Sequence, residues 1–315
     1  MFGPRHVQIF GPSNPTAADK RSLGPLALNW GAHRRRRIGA ALPRRLGKGS
    51  VPDAGAIRAR MTPTPERLIS FRRLLAPLAA LIAFTSAASA ACAPKTFDQA
   101  AFTVCAFHPK DDDLRLFWKG ADNRPFGSLG ALSAALKASG RELIFAMNAG
   151  MFAEDLSPIG LYIESGRKLH EADTKSGESN FRMRPNGVFW IGDGSAGVVE
   201  TGRYLANPPA VRYATQSGPM LLLDGKIHPK ILPTGTSEKI RNGVGIRDDG
   251  EVVFAIADDA VNFDTFARLF RDGLGCRNAL FLDGSVSSLY APELNRDDEL
   301  TPIGPIVGVV RAAAK

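Results

Sequence analysis

Residues 281–290 read FLDGSVSSLY, an apolar run that ends in the carboxylate of Asp283 and then turns into glycine and serines. Asp-Gly is a common hairpin turn pair, and the chain uses it again at Asp224-Gly225 and Asp249-Gly250. There the strand-like segments KIHP and EVVFAIA follow, whereas Asp283 is preceded by ALFL and followed by the small, polar SVSS with Ser285 and Ser287. Apolar residues at successive positions suit a strand buried on both faces, so a carboxylate at its end can form the floor of a pocket. Four other stretches share this character. MNAGMF places Asn148 and Gly150 at the end of ELIFAM, PNG places Asn186 at the mouth of a second strand, QSGP places Gln216 and Ser217 before a third, and IRNGVG places Arg241 and Asn242 before a fourth. Each alone is an ordinary turn signal. Together they supply amides, a guanidinium and a carboxylate, an inventory suited to a sugar and a phosphate.

The elements that must position these groups follow from periodicity. LRLFWK (114–119) and ELIFAM (142–147) read as strands, separated by LGALSAALKASG, whose apolar spacing and closing Gly140 predict a helix. After Asn148 the pattern is mostly strands, IGLYIESG, NGVFWIGDG, GPMLLLDGKI and NGVGIRDDGEVVFAIA, with DG, ESG and GDG steps that indicate hairpins. A second helix is expected over residues 262–272, with Phe263, Phe266, Leu269 and Phe270 on one face, before NALFLDG. This order is not a regular βαβ alternation, so the expected class is α+β, a single domain with mixed, largely antiparallel sheets and a few packed helices.

The two ends of the 315-residue chain differ in kind. Residues 1–60 carry RRRR at 34–37 and no sustained apolar periodicity, and read as a disordered basic arm or a mistaken upstream start. Residues 61–90 place Arg67, Arg72 and Arg73 before an apolar core at 74–84 and end in Ala-Ser-Ala, the layout of a signal peptide. That core is short of the roughly 20 residues that span a bilayer, and no later segment is longer. A lipoprotein start at Cys92 is the lesser alternative, since Ser89 stands where a larger aliphatic residue is expected. The expected product is a periplasmic or secreted domain over 91–315. Residues 1–90 hold 15 Lys/Arg against 3 Asp/Glu, so the rest, with 25 against 28, carries a formal net charge of −3. The whole-chain pI near 9.7 therefore does not indicate a nucleic-acid partner, which requires a basic face on the folded domain.

Cys92, Cys105 and Cys276 all fall in the exported part. Export permits a disulfide; Cys92–Cys105 closes the shortest loop, and Cys105–Cys276 is the other pairing considered. CxxC and HExxH are absent and His108, His170 and His228 are far apart in the chain, so no metal and no cofactor are expected.

In NAGMF, PIGLYIESG, NFRMRPNGVFW, QSGPMLLLDG, IRNGVGI, FARLFRD and ALFLDGSVSSLY, in that order over about 145–309, the chain resembles the phosphodiester glycosidase domain family, and within it the bacterial exported branch. Where the animal branch carries DGGGS after the carboxylate, this chain has DGSVS. The resemblance implies hydrolysis of a sugar-1-phosphate diester at the glycosidic bond. A glycosidase commonly uses one carboxylic acid for the leaving group and one carboxylate for water or the anomeric carbon. A phosphate monoester leaves as a stabilised anion, so one carboxylate and one cation suffice. On that basis Asp283 faces the anomeric centre and Arg241 holds phosphate oxygens in a two-pronged contact. Asn148, Asn186 and Gln216 bind sugar hydroxyls or an acetamido group, with Gly150, Ser217, Asn242, Ser285 and Ser287 beside them. The competing reading of Arg241 is a surface ion-pair partner. Asp258 and Asp259, after FAIA, are reserve acids, and His228 reads as a loop residue rather than a base. Ser217 and Ser287 lie outside any GxSxG, and Ser287 has no later histidine. The other function class weighed is a non-catalytic glycan-binding or envelope-assembly protein.

Overall fold

The computed structural model describes residues 91–299 and 301–313. The expectations for residues 1–90 lie outside the described residues. Three sheets carry the fold, and every described ladder is antiparallel. The first has seven strands: β1 (Cys92–Phe97), β2 (Ala100–Phe107), β10 (Met220–Leu223), β11 (Lys226–Ile227), β12 (Asn242–Arg247), β13 (Val252–Ala257) and β14 (Cys276–Asp283), in the order β1-β2-β13-β12-β14-β10-β11. The second comprises β3 (Asp113–Phe117), β4 (Arg141–Asn148), β15 (Leu289–Ala291), β16 (Arg296–Asp297) and β17 (Ile306–Ala312), ordered β16-β15-β4-β17-β3. The third comprises β5 (Tyr162–Glu164), β6 (Arg167–His170), β7 (Gly187–Ile191), β8 (Ala196–Glu200) and β9 (Tyr213–Ser217), ordered β6-β5-β9-β7-β8. The class is α+β, as expected.

The strand alternation of side chains explains how the sheets pack. In β14, Leu280 and Leu282 enter a core shared by all three sheets, while Ala279 and Phe281 enter a second core on the opposite face. Phe254 of the first sheet meets Phe145 of the second at 4.9 Å and Phe189 of the third at 5.8 Å between ring centroids. β14 is therefore buried on both faces, as ALFL predicts.

The helices close the outer faces. α1 (Leu129–Ala138) buries Leu129, Leu132 and Leu136 against β4 and β17; Ser128 caps its first turn by accepting from Ala131 N at 3.1 Å, and Gly140 ends it at φ +72°. α2 (Thr201–Ala206), which sequence periodicity did not reveal, lies after β8 and buries Tyr204 on the third sheet. α3 (Phe263–Arg268) starts at the Asn262 cap and widens into a π turn over Leu269–Gly273, burying Phe266, Leu269 and Phe270 on the first sheet. Cys92 and Cys105 face each other across β1 and β2 and form a disulfide, while Cys276 is a buried free thiol whose pKa burial pushes up to about 12.

Candidate active site

Register brings three predicted residues together. Asn242 pairs with Ile256 of β13 on one side and with Asp283 of β14 on the other, so β13 and β14 flank β12, run parallel to each other and end at the same edge of the sheet. Asn148 ends β4 in the neighbouring sheet. Asn242 Nδ2 donates to Asn148 Oδ1 at 2.8 Å and to Asn148 O at 3.0 Å, and Asn242 Oδ1 accepts from Asp283 N at 2.8 Å. Asn148 Oδ1 accepts a further bond from Ser288 N at 3.0 Å. Ser217 donates to Leu282 O, and the single Ser287 hydroxyl lies 2.9 Å from Ile240 O and 3.1 Å from Asp283 O, sharing its proton between them, which ties the loop after Asp283 to the segment just before β12.

Asp283 is 6% exposed, and its Oδ1 accepts from Gly284 N at 2.6 Å and Ser285 N at 2.8 Å. Its Oδ2 has no hydrogen-bond partner among the described residues. Burial raises its pKa above the usual carboxylate range; the loop N–H groups and the Asn148 amide act in the opposite sense without cancelling it. The Asn148 Nδ2 nevertheless lacks a partner of hydrogen-bond geometry. The carboxylate opens on a cavity of about 420 Å³, walled by Met151, Phe152, Ile159, Val286 and Pro302, with Asn180 and Ser285 as further polar lining. Asp283 is the only carboxylate of that lining.

Arg241 is 1% exposed, which removes the surface ion-pair reading. Its Nε donates to Val261 O at 2.9 Å and its Nη2 to Ser237 O at 2.6 Å, and the guanidinium lies 3.7 Å from the Phe263 ring centroid. Among the described residues it has no carboxylate partner, and desolvation lowers its pKa to about 10, so it stays charged at neutral pH. Nη1 has no hydrogen-bond partner among the described residues, and a Cβ built on Gly284 would stand 3.5 Å from it and 2.9 Å from Phe281 Cζ. Two of the five N–H groups are spent on carbonyls, which closes the Nε edge of the fork and leaves the Nη1 side for a two-pronged contact. A buried cation without an anion is costly. Here it sits behind the loop that carries the buried carboxylate.

Other predicted residues serve the frame. Gln216 Oε1 accepts from Leu161 N and Asp173 N and its Nε2 donates to Asp173 O and Thr201 Oγ1, so its amide is saturated and unavailable to a ligand. Gly150 lets the segment after β4 approach β9, since a Cβ there would stand 3.1 Å from Thr215 Oγ1. Asn186 donates to Phe181 O and holds the turn that presents Asn180, while remaining outside the cavity lining. Asp258 pairs with Arg296 and accepts from Thr103 Oγ1, and Asp259 accepts from Ala101 N, so neither reserve acid is free. His228 is a buried loop residue outside the cavity lining; its Nδ1 accepts from Lys230 N at 3.1 Å, and burial lowers its pKa. A separate cleft of about 250 Å³ is ringed by Lys110, Asp111, Asp112, Asp113 and Asp193 and holds none of the candidates; Asp112, Asp113 and Asp193 pair with Arg311, Arg115 and Arg212. No cluster of three metal-binding side chains and no helix long and apolar enough to cross a membrane occurs among the described residues.

Sequence reasoning missed the apolar wall and the aromatic bed of Arg241. Met151 and Phe152 stand in NAGMF, where the Asn and Gly carry the turn signal and the two apolar residues carry no sign of a cavity wall. Phe263 fits the apolar stripe of a core-facing helix, and nothing in the sequence ties it to a guanidinium 22 positions earlier.

Residues 141–310 match the phosphodiester glycosidase family. The chain belongs to this family. It is a family of hydrolases, and an uncharacterized protein YigE from Escherichia coli K12 is 36% identical over 223 residues, covering 70% of this chain and 86% of that one. Solved structures similar to this member include the zebrafish N-acetylglucosamine-1-phosphodiester alpha-N-acetylglucosaminidase catalytic domain, auto-inhibited by its pro-peptide. That match has 16% identity, covers 71% of this chain and 82% of that chain, and has a TM-score of 0.48. A putative exported protein from Burkholderia pseudomallei is also similar, at 11% identity, 67% and 74% coverage and a TM-score of 0.44.

Proposed function

We propose that this family member hydrolyses the glycosidic bond of a sugar-1-phosphate diester, with Asp283 as general base and Arg241 as the phosphate-binding cation. The observation that carries this reading is a buried carboxylate at Asp283 and, 3.5 Å from where a Cβ on Gly284 would stand, the Nη1 of a buried guanidinium with no carboxylate partner among the described residues. Asp283 Oδ1 is held by the loop, so Oδ2 is the oxygen that takes a proton from water. The raised pKa strengthens it as a base. The water oxygen bonds to the anomeric carbon as the bond from that carbon to the phosphate oxygen breaks, and the phosphomonoester leaves with its electrons near Arg241 Nη1. No second acid is required for so stable a leaving group, in keeping with a cavity lined by one carboxylate. Ser285 and Asn180 are the cavity's remaining polar contacts for sugar hydroxyls.

Export of residues 91–315 after cleavage of a 61–90 signal peptide, to act on envelope or polysaccharide glycans in the periplasm or outside the cell, belongs to the same proposal. The Cys92–Cys105 disulfide supports it, since such bonds persist in oxidising compartments. That bond also occupies the Cys92 thiol, which argues against the lipoprotein start. The test is a panel of glycosyl phosphodiesters read by product identity: the protein releases free sugar and a phosphomonoester, and Asp283→Asn does not. Binding of the same compounds without any product would favour the glycan-binding alternative.

A further inference from the structure

Asn148 and Asn242 come from different sheets, are fully buried, and have side chains in direct contact. Asn148 Oδ1 accepts from two donors, Asn242 Nδ2 at 2.8 Å and the backbone N–H of Ser288 at 3.0 Å. Flipping the amide would set Nδ2 against the Ser288 N–H, so the side-chain orientation is determined by its neighbours. Asn242 is held in turn, because its Oδ1 accepts from Asp283 N. The outcome is a locked amide whose Nδ2, buried and without a partner, is the loose end of the network. A buried donor left unpaired is unfavourable and rare.

We infer that Asn148 is a positioning residue whose Nδ2 donates to the free oxygen of Asp283, aiming that oxygen and keeping it ionised for the reaction. The inference rests on the proposed role of Asp283 and reassigns Asn148 from binding sugar to serving the base. The Asn148 amide opposes the burial-driven rise of the Asp283 pKa, as such a donor must. No other residue lining the cavity titrates; β4 and β12 contribute only Asn148 and Asn242 next to the carboxylate, and Arg241 behind Gly284 remains charged below pH 9.

Asn148→Asp is the informative substitution, because it keeps an acceptor for Asn242 and Ser288 and replaces only the donor. Asn148→Ala is the companion, with the bond from Asn242 Nδ2 to Asn148 O retained. The first readout needs no substrate: the difference in melting temperature between a protein and its Asp283→Asn version, followed against pH, reports where Asp283 ionises. Both Asn148 variants should move that midpoint to higher pH, Asn148→Asp further. The second readout is turnover of a nitrophenyl phosphodiester of N-acetylglucosamine 1-phosphate. Asn148→Ala should lower kcat about 10- to 100-fold, in the range of other groups that orient a reacting ligand, with KM within about twofold and the acid limb displaced upward. An unchanged midpoint overturns the inference, as does a raised KM with unchanged kcat, which would make Asn148 a substrate ligand. If Asp283→Asn retains parental turnover, the reading of the base fails first. If it is inactive while Asn148→Asp keeps parental kcat and pH limb, only the positioning role fails.

Discussion

Two aspartates follow buried strands at the same edge of the seven-stranded sheet, Asp258 just after β13 and Asp283 at the end of β14, with β12 between them. Asp258 is neutralised: Arg296 pairs with it, Thr103 donates to it, and Arg296 is shared with Asp298. Asp283 has only backbone N–H groups on one oxygen and no ion-pair partner among the described residues, while the nearby Arg241 is equally unpaired. One edge of one sheet thus holds a settled charge network and an unsettled pair of charges. Folding stability favours the former, so persistence of the latter points to a ligand that completes it.

The comparison can be broken by substitution, starting where the effect is largest. Asp283→Asn should reduce phosphodiester hydrolysis by roughly 10²–10⁴-fold, the usual contribution of a general base, whereas Asp258→Asn should stay within about threefold; equal losses measured by kcat/KM would erase the distinction. Arg241→Met should bind inorganic phosphate at least tenfold more weakly than the parent by calorimetry, and phosphate should raise the melting temperature of the parent but not of this variant. Asp283→Asn should also melt higher than the parent at neutral pH. The sign follows from the raised folded-state pKa: protonation is favoured on folding, so the stabilising protonated form is complete below the unfolded pKa and lost as pH rises through the folded one. The Asn variant avoids that loss, and its advantage should vanish in acid. The smallest effect belongs to Asp258→Asn, about 0.5–1 kcal/mol by chemical denaturation, since its partly exposed pair is screened by solvent.

Local chemistry was legible in the sequence. The Asp224-Gly225 pair does make a hairpin turn, at φ +52° and +82°, and the apolar spacing of LGALSAALKA does make a helix that buries Leu129, Leu132 and Leu136. The double burial of β14 followed from ALFL. What joins the site was not legible, because Asn148, Asn242 and Asp283 meet through strand register and sheet packing across separations of 94 and 41 residues. In sequence, Gln216 and Asn242 look alike as amides one or two positions before a glycine. Only the fold shows that Gln216 spends its amide on the loop at Asp173, while Asn242 spends its own on the strand ends that carry the candidate chemistry. Arg241 gave no sign of burial, since the rings that cover it come from Phe263 and Phe281.

The central claim is that the bond broken joins sugar to oxygen rather than oxygen to phosphorus. Hydrolysis of an N-acetylglucosamine 1-phosphodiester in water enriched in oxygen-18, with the phosphomonoester product analysed by mass spectrometry, tests it most directly. The account predicts free sugar and a phosphomonoester that carries no label. Label in the phosphate, or intact substrate after prolonged incubation with the folded protein, would contradict it.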